Sequence, residues 1–202
     1  MGQSASLTSL MYLRYIASNK HLTIRGKPTI FSSAFQSCMM SGLSILGLQT
    51  IYPQAFTRCT NLKQVYNYAN FIWPSQFSCC YSLRRVISPE LTRIGQYALA
   101  NCSSLQYFSG KYLSYISKFA FMGCKNLSVV MLTSYSKLGS VYTDAFNSTP
   151  IVNSTYLGYY GSFYVPESLL ASYLGDANWA TWSSRFAVIT SEIEALFEWE
   201  DL

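Results

Sequence analysis

A fifteen-residue pattern recurs six times along this chain at a nearly constant interval. One copy reads Ile51-Tyr-Pro-Gln-Ala-Phe-Thr-Arg-Cys-Thr-Asn-Leu-Lys-Gln-Val65, and the steps between copies are 21, 21, 22, 22 and 25 residues. Six copies in phase exceed chance similarity, so each copy must be one unit that buries its apolar face against its neighbours. The aromatic or Leu position of the pattern falls at Phe35, Phe56, Phe77, Leu99, Phe121 and Phe146.

The repeat predicts the fold class. A period in the low twenties, with Leu and a small residue at fixed offsets, is typical of a leucine-rich repeat solenoid with short parallel strands and about six coils. We divide the chain into an N-terminal cap at 1–27, the solenoid at 28–151, an α+β C-terminal capping module at 152–190 and an acidic amphipathic tail at 191–202. The cap is expected to use an apolar periodicity at Leu7, Leu10, Leu13 and Ile16.

The cysteines follow the repeat and do not form a disulfide framework. Stacked coils would place five thiols in one inward column, where free Cys packs as a small apolar residue and parallel side chains have the wrong torsion for a disulfide. We predict free buried thiols, with Cys79 outside the column and more exposed. One histidine and no C-x-x-C spacing leave no zinc site, and no cofactor is expected. The column contains Cys38, Cys59, Cys80, Cys102 and Cys124, followed by Thr149.

Two copies also resemble a known family. Ile94-Gly-Gln-Tyr-Ala-Leu-Ala-Asn-Cys-Ser-Ser-Leu105 and Ile116-Ser-Lys-Phe-Ala-Phe-Met-Gly-Cys-Lys-Asn-Leu127 resemble the BspA-type leucine-rich repeats of bacterial surface proteins and gut-associated phages. The segment 163–173, continued by Asn178-Trp179 and 186–189, resembles the module that often ends such arrays. The resemblance implies binding or adhesion without catalysis, and it names no ligand.

One candidate binding surface lies along the predicted strands. In each L-x-x-V segment the Val position points inward, so its neighbours point outward by the alternation of a strand. Aromatic, cationic and apolar side chains at solvent positions exceed what folding requires, which makes this strip a candidate interface. We name its members Tyr66, Arg85, Tyr107 and Met131 the strand strip.

A second candidate surface follows the inward Ile of each copy. The BspA-type pattern commonly has Gly at the next position, but four of the six copies here have an aromatic residue. Stacked coils would place these rings about 5 Å apart. The rings serve either partner binding or the stiffening of a sheet edge, and the sequence favours neither. We name Phe31, Tyr52, Trp73 and Tyr142 the aromatic row.

The C-terminal region contains two further predicted features. Pro166 and Gly175 fit a helix with a left-handed C-cap, after which Trp179 and Trp182 are expected to plug the open end of the solenoid. The tail is too short to form a stable helix alone, so it needs a surface, on its own solenoid or on a partner subunit. Its apolar face, the predicted assembly contact, contains Ile193, Leu196, Phe197 and Trp199.

Charge and motifs limit the function. Residues 1–190 hold all 14 basic residues and four acids, a net charge of +10, whereas the last twelve residues hold five acids. No catalytic motif occurs, so a non-enzymatic recognition or adhesion module is favoured. The partner is expected to be a protein or a cell-surface glycan. The alternatives are a structural subunit that assembles through its tail, as a homo-oligomer or in a larger particle, and a polyanion-binding protein.

The sequence also predicts where the protein works. The N-terminus has no visible signal peptide, and no stretch is long and apolar enough for a membrane span. The family resemblance implies a component of the bacterial cell surface or of a phage. A virion component, such as a phage tail protein, fits the missing signal because virions assemble in the cytosol. Nucleic acid is disfavoured as a partner because the basic residues are spread over many coils and the acidic tail would compete.

Overall fold

The structure, a computed structural model, describes residues 20–47, 50–133, 139–152 and 161–198. The apolar periodicity predicted between Leu7 and Ile16 lies outside these residues. One parallel sheet of eight strands runs along the molecule, with its strands in the order of the chain. Its members are β1 (His21–Arg25), β3 (Gly42–Leu46), β5 (Gln64–Asn67), β7 (Arg85–Ser88), β9 (Tyr107–Gly110), β11 (Val129–Leu132), β13 (Ser162–Val165) and β14 (Phe186–Val188).

Each repeat adds a two-residue strand on another side of the core. Four of these strands form a second parallel sheet, and the first two form a pair. The inward Ile residues are in register, with Ile72 opposite Ile94 and Ile94 opposite Ile116. The predicted leucine-rich repeat solenoid is confirmed. The short strands are β2 (Thr29–Ile30), β4 (Thr50–Ile51), β6 (Phe71–Ile72), β8 (Arg93–Ile94), β10 (Tyr115–Ile116) and β12 (Ser140–Val141).

A column of Phe rings fills the space between the sheets. Phe35 stacks on Phe56 at 5.1 Å between ring centroids, and Phe56 stacks on Phe77 at 5.5 Å. Leu99 interrupts the column. In the same coil, the strand position that is Val86 or Val130 in the neighbouring coils is a larger residue. That side chain, Phe108, packs edge-on against Phe121 at 4.9 Å. A ring from the sheet thus supplies volume where the column has a smaller residue.

The cysteines connect successive coils by hydrogen bonds. The Cys59 thiol donates to the Phe35 carbonyl at 3.1 Å, and the Cys102 thiol donates to the Phe77 carbonyl at 3.1 Å. Burial raises the pKa of Cys80, Cys102 and Cys124 well above the usual thiol range. None of the six cysteines, all of which lie in the described residues, forms a disulfide, and Cys79 alone is half-exposed, which confirms the prediction of a buried thiol column.

The C-terminal region closes the solenoid with aromatic side chains. It contains α1 (Glu167–Leu174), a 3-10 helix (Ala177–Arg185) and α2 (Ser191–Ala195). Trp179 and Trp182 are fully buried and pack edge-on against Phe163, which confirms the predicted plug. The predicted left-handed cap at Gly175 is wrong, because this residue has φ −86° and continues the right-handed backbone.

The large sheet extends beyond the repeats. Strand β1 lies before the proposed boundary at residue 28 and pairs with β3, which lies after it. Strand β13 lies after the proposed boundary at 151 and pairs with β11, which lies before it. Both proposed boundaries therefore fall inside one continuous sheet. Among the helices in the described ranges, none has the length and apolar character that crossing a bilayer requires.

Candidate interaction surfaces

Three members of the aromatic row stand in solvent. The exposed fractions of Phe31, Tyr52 and Tyr142 are 39%, 44% and 40%, whereas Trp73 is half-buried. The Phe31 and Tyr52 rings are nearly parallel, with 5.8 Å between centroids and 7° between planes. This stack is an exposed flat apolar surface supported by the β2–β4 pair beneath it.

The aromatic row is interrupted in the middle of the solenoid. A Cβ atom at Gly95 would lie 2.7 Å from the Pro74 backbone nitrogen, so no side chain fits there. Trp73 packs against the Phe71 ring of its own coil at 4.6 Å and also contacts the core. The row is therefore not one continuous ladder of six coils, and Trp73 has a packing role that Tyr52 does not have.

A cation lies between two aromatic rings next to this interruption. The Arg93 guanidinium carbon is 5.7 Å from the Phe71 ring centroid and 5.2 Å from the Tyr115 ring centroid. The three residues are register partners on adjacent strands. Cations in this range are attracted to the ring faces. Sequence reasoning missed this group, although all three residues occupy the position just before the inward Ile.

The group continues to the last coil of the repeat region. The Tyr142 ring is 6.0 Å from the Tyr115 ring at 81°, and the Lys118 ammonium lies 5.4 Å from the Tyr142 centroid. A hydrogen bond with the Tyr115 side chain raises the pKa of the Tyr142 phenol. We call the combined face the aromatic–cation surface, and its residues are Phe31, Tyr52, Phe71, Trp73, Arg93, Tyr115, Lys118 and Tyr142.

The strand strip points outward but is not open to solvent. Met131 is 7% exposed, and Tyr66, Arg85 and Tyr107 are half-buried. Burial raises the pKa of the Tyr66 phenol, with smaller contributions from the nearby Tyr68 and Glu90. The expectation that the strip lies at solvent positions is therefore wrong for Met131 and only partly right for the rest.

The C-terminal tail covers this strip. Phe197 packs in one apolar cluster with outward side chains of the large sheet, and Ile193 and Leu196 pack against the same cluster. The Phe197 ring meets the Tyr107 ring edge-on at 6.3 Å, and the Arg85 guanidinium donates a hydrogen bond to the Glu198 carbonyl at 2.9 Å. Trp199 lies outside the described residues. We call the covered face the tail groove, formed by Tyr66, Ile87, Tyr107, Val129 and Met131.

The family and one solved structure agree with this architecture. Six copies of the BspA-type leucine-rich repeat region match residues 28–153. The chain belongs to the BspA-type leucine-rich repeat family. A comparison with curated protein sequences finds no match. The crystal structure of the pneumococcal vaccine antigen PcpA is similar at TM-score 0.59 and 15% identity, over 86% of this chain and 42% of that one.

These comparisons define the general class of the protein. BspA-type repeats are a non-enzymatic repeat family of the protein-interaction type. The likeness to PcpA supports the fold alone, and the present chain spans about two fifths of that protein. The candidate surfaces of this BspA-type chain therefore have to be evaluated from their own residues.

Proposed function

We propose that this protein is a non-enzymatic recognition module that binds a protein partner on a cell or particle surface through the aromatic–cation surface. The observation that carries the proposal is the placement of Arg93 between Phe71 and Tyr115, on strands whose inward residues already complete the core. The side chains of Phe71, Arg93 and Tyr115 lie outside the buried core of the solenoid.

The composition of this surface supports a protein partner. Tyr, Trp and Arg are the residues enriched at binding hot spots, and Tyr provides a large contact area with few rotatable bonds to immobilise. Arg93 and Lys118 are exposed cations on a body with a net charge of +10. A complementary partner surface would therefore be acidic, and association would be faster at low salt.

The proposed location is the exterior of a bacterium or of a phage particle, as a tail or appendage protein in the second case. Membership of the BspA-type repeat family supports an exterior role.

The test is the retention of labelled bacterial cells on immobilised protein. The double variant Tyr52→Ser with Arg93→Ser should reduce retention about tenfold or more, because each residue supplies hot-spot contact area. Tyr81→Ser is the matched control, since Tyr81 is 49% exposed and lies outside the aromatic–cation surface. Unchanged retention by the double variant, in a folded protein, would contradict the proposal.

A treatment of the cells identifies the partner class. Brief protease digestion of the cell surface should abolish retention if the partner is a protein, whereas periodate oxidation, which destroys glycan diols, should leave it intact. The reverse result would identify a surface glycan and overturn our choice of a protein. If the immobilised protein instead retains a mixed oligonucleotide, and this retention falls steeply with salt, the result would support the polyanion alternative.

A further inference from the structure

The contact between the tail and its groove is small. Of the described tail residues only Phe197 is buried, with an exposed fraction of 9%, while Ile193 and Leu196 are half-buried. Helix α2 has five residues and cannot persist in water without a surface. The Arg85 guanidinium adds a hydrogen bond to the Glu198 carbonyl at the exposed edge of this contact. A contact of this size opens far more often than the solenoid unfolds.

Opening of the tail creates two complementary surfaces. The open groove then exposes Ile87, Val129 and Met131 together, and these side chains form a contiguous apolar patch that faces solvent. The released tail is acidic, and the body that contains the groove has a net charge of +10. Two bodies repel each other, whereas the tail of one copy attracts the body of another.

We propose that the tail groove also accepts the tail of a second copy of this chain, so that the protein assembles by tail exchange. Phe197 of one copy then completes the groove of the other, at the place that its own Phe197 occupies in the single chain. The Ile189 N–H donates to the Val165 carbonyl and its side chain packs against the groove cluster, so the hinge lies at Thr190, the N-cap of the helix. Reciprocal exchange closes as a two-fold dimer.

The tethered tail competes strongly with any added tail. Its effective concentration at its own groove is on the order of millimolar, so the unmodified protein at micromolar concentration remains largely closed. The test therefore uses full-length chains in which one component is disabled. Phe197→Ala disables the tail and leaves the groove, whereas Tyr107→Glu disables the groove and leaves the tail. The solenoid core is a separate cluster from the groove, so both variants should fold.

The decisive experiment mixes the two variants and measures mass by native mass spectrometry. The mixture should form a one-to-one heterodimer, because one intact groove meets one intact tail, and each variant alone should remain a monomer. Absence of the heterodimer with both variants folded by circular dichroism would overturn the proposal.

A peptide provides an independent measurement. A labelled peptide of residues 189–202 should bind the full-length Phe197→Ala variant, and the same peptide with Phe197→Ala should bind at least tenfold more weakly in fluorescence anisotropy. Equal binding of the two peptides would show that the groove does not recognise the tail in trans. Peptide binding without heterodimer formation would also overturn tail exchange, because the hinge would then prevent delivery of the tail to a second copy.

Discussion

The two outward faces of this solenoid both point away from the core, but they differ in their exposure to solvent. Directly after the short strands, Tyr52 and Tyr142 remain exposed, with exposed fractions of 44% and 40%. On the long strands, Met131 is equally outward but is covered by Phe197. Alternation along a strand determines the direction of a side chain, whereas a distant segment determines whether water reaches it. Only the uncovered face is available to a partner in the closed chain.

The inward column should give the largest response and sets the scale for both faces. Phe56→Ala removes a ring that stacks between Phe35 and Phe77, so we expect a loss of about 3–5 kcal/mol in the free energy of unfolding. The measurement is urea unfolding followed by circular dichroism. Phe56→Leu is the control and should cost clearly less, since Leu occupies the same column at position 99. A loss below 1 kcal/mol would contradict a single packed column.

Alkaline pH should lower the free energy of unfolding through the buried thiols of the column. Burial raises the pKa of Cys80, Cys102 and Cys124, so these thiols stay protonated in the fold and ionise once unfolded. Stability is unaffected below the unfolded pKa of about 8.5 and falls above it, by roughly 1 kcal/mol per pH unit for each thiol. Unfolding curves between pH 7 and pH 10 measure this slope.

A thiol assay provides the companion result. With Ellman's reagent at pH 8, Cys79 should react in the native protein, because it is the half-exposed thiol outside the column. The other five should react only in denaturant. Rapid reaction of several thiols in the native state would show that the column is open to solvent.

The covered face should respond less than the column. Phe197→Ala should lower the free energy of unfolding by about 1–2 kcal/mol, because burial of one Phe is lost while the solenoid core is untouched. Amide hydrogen exchange in Ser191–Ala195 should accelerate, with little change in the Phe column. Glu194→Gln is the control, since Glu194 is exposed on the same helix. If Phe197→Ala matches the parent in free energy of unfolding and in amide protection, the tail does not stabilise the covered face, which would contradict the difference drawn between the two faces.

The uncovered face should give the smallest change in stability. Tyr52→Ser should alter the free energy of unfolding by no more than about 0.5 kcal/mol, as expected for an exposed side chain. Trp73→Ser should cost more, because Trp73 contacts Phe71 and the core. Parallel thermal and urea unfolding of both variants tests this order. If Tyr52→Ser is the more damaging change, the aromatic row serves packing and not recognition.

The sequence predicted what the repeat determines and missed what lies outside it. The periodic positions were sufficient to predict inward Ile51, the buried Cys59 and the solenoid itself. The burial of Met131 depends on Phe197, sixty-six residues later and outside the period, so no local pattern encodes it. The cation between two rings at Arg93 could have been found by comparing the copies at the position before the inward Ile.

The backbone conformation at the helix cap Gly175 also could not be predicted from the sequence pattern. Glycine permits a left-handed residue but does not require one, and Gly175 has φ −86° directly before Asp176, the N-cap of the 3-10 helix. By contrast, Asn101 and Ser148 adopt positive φ without being glycine. The position within the tight turn, more than the residue type, determines the backbone at these points.

The thiol column has a consequence for how such an array changes in length. Four thiols of the column, those of Cys59, Cys80, Cys102 and Cys124, donate to a carbonyl of the coil before them, so a coil receives this donor from its successor. The final copy differs, because the Thr149 hydroxyl donates to Phe146 within its own coil at 2.7 Å. A whole coil inserted between two others would bring its own donor and find an acceptor. Duplication of a coil inside the array therefore conserves this hydrogen bond, which the last copy replaces with one inside its own coil.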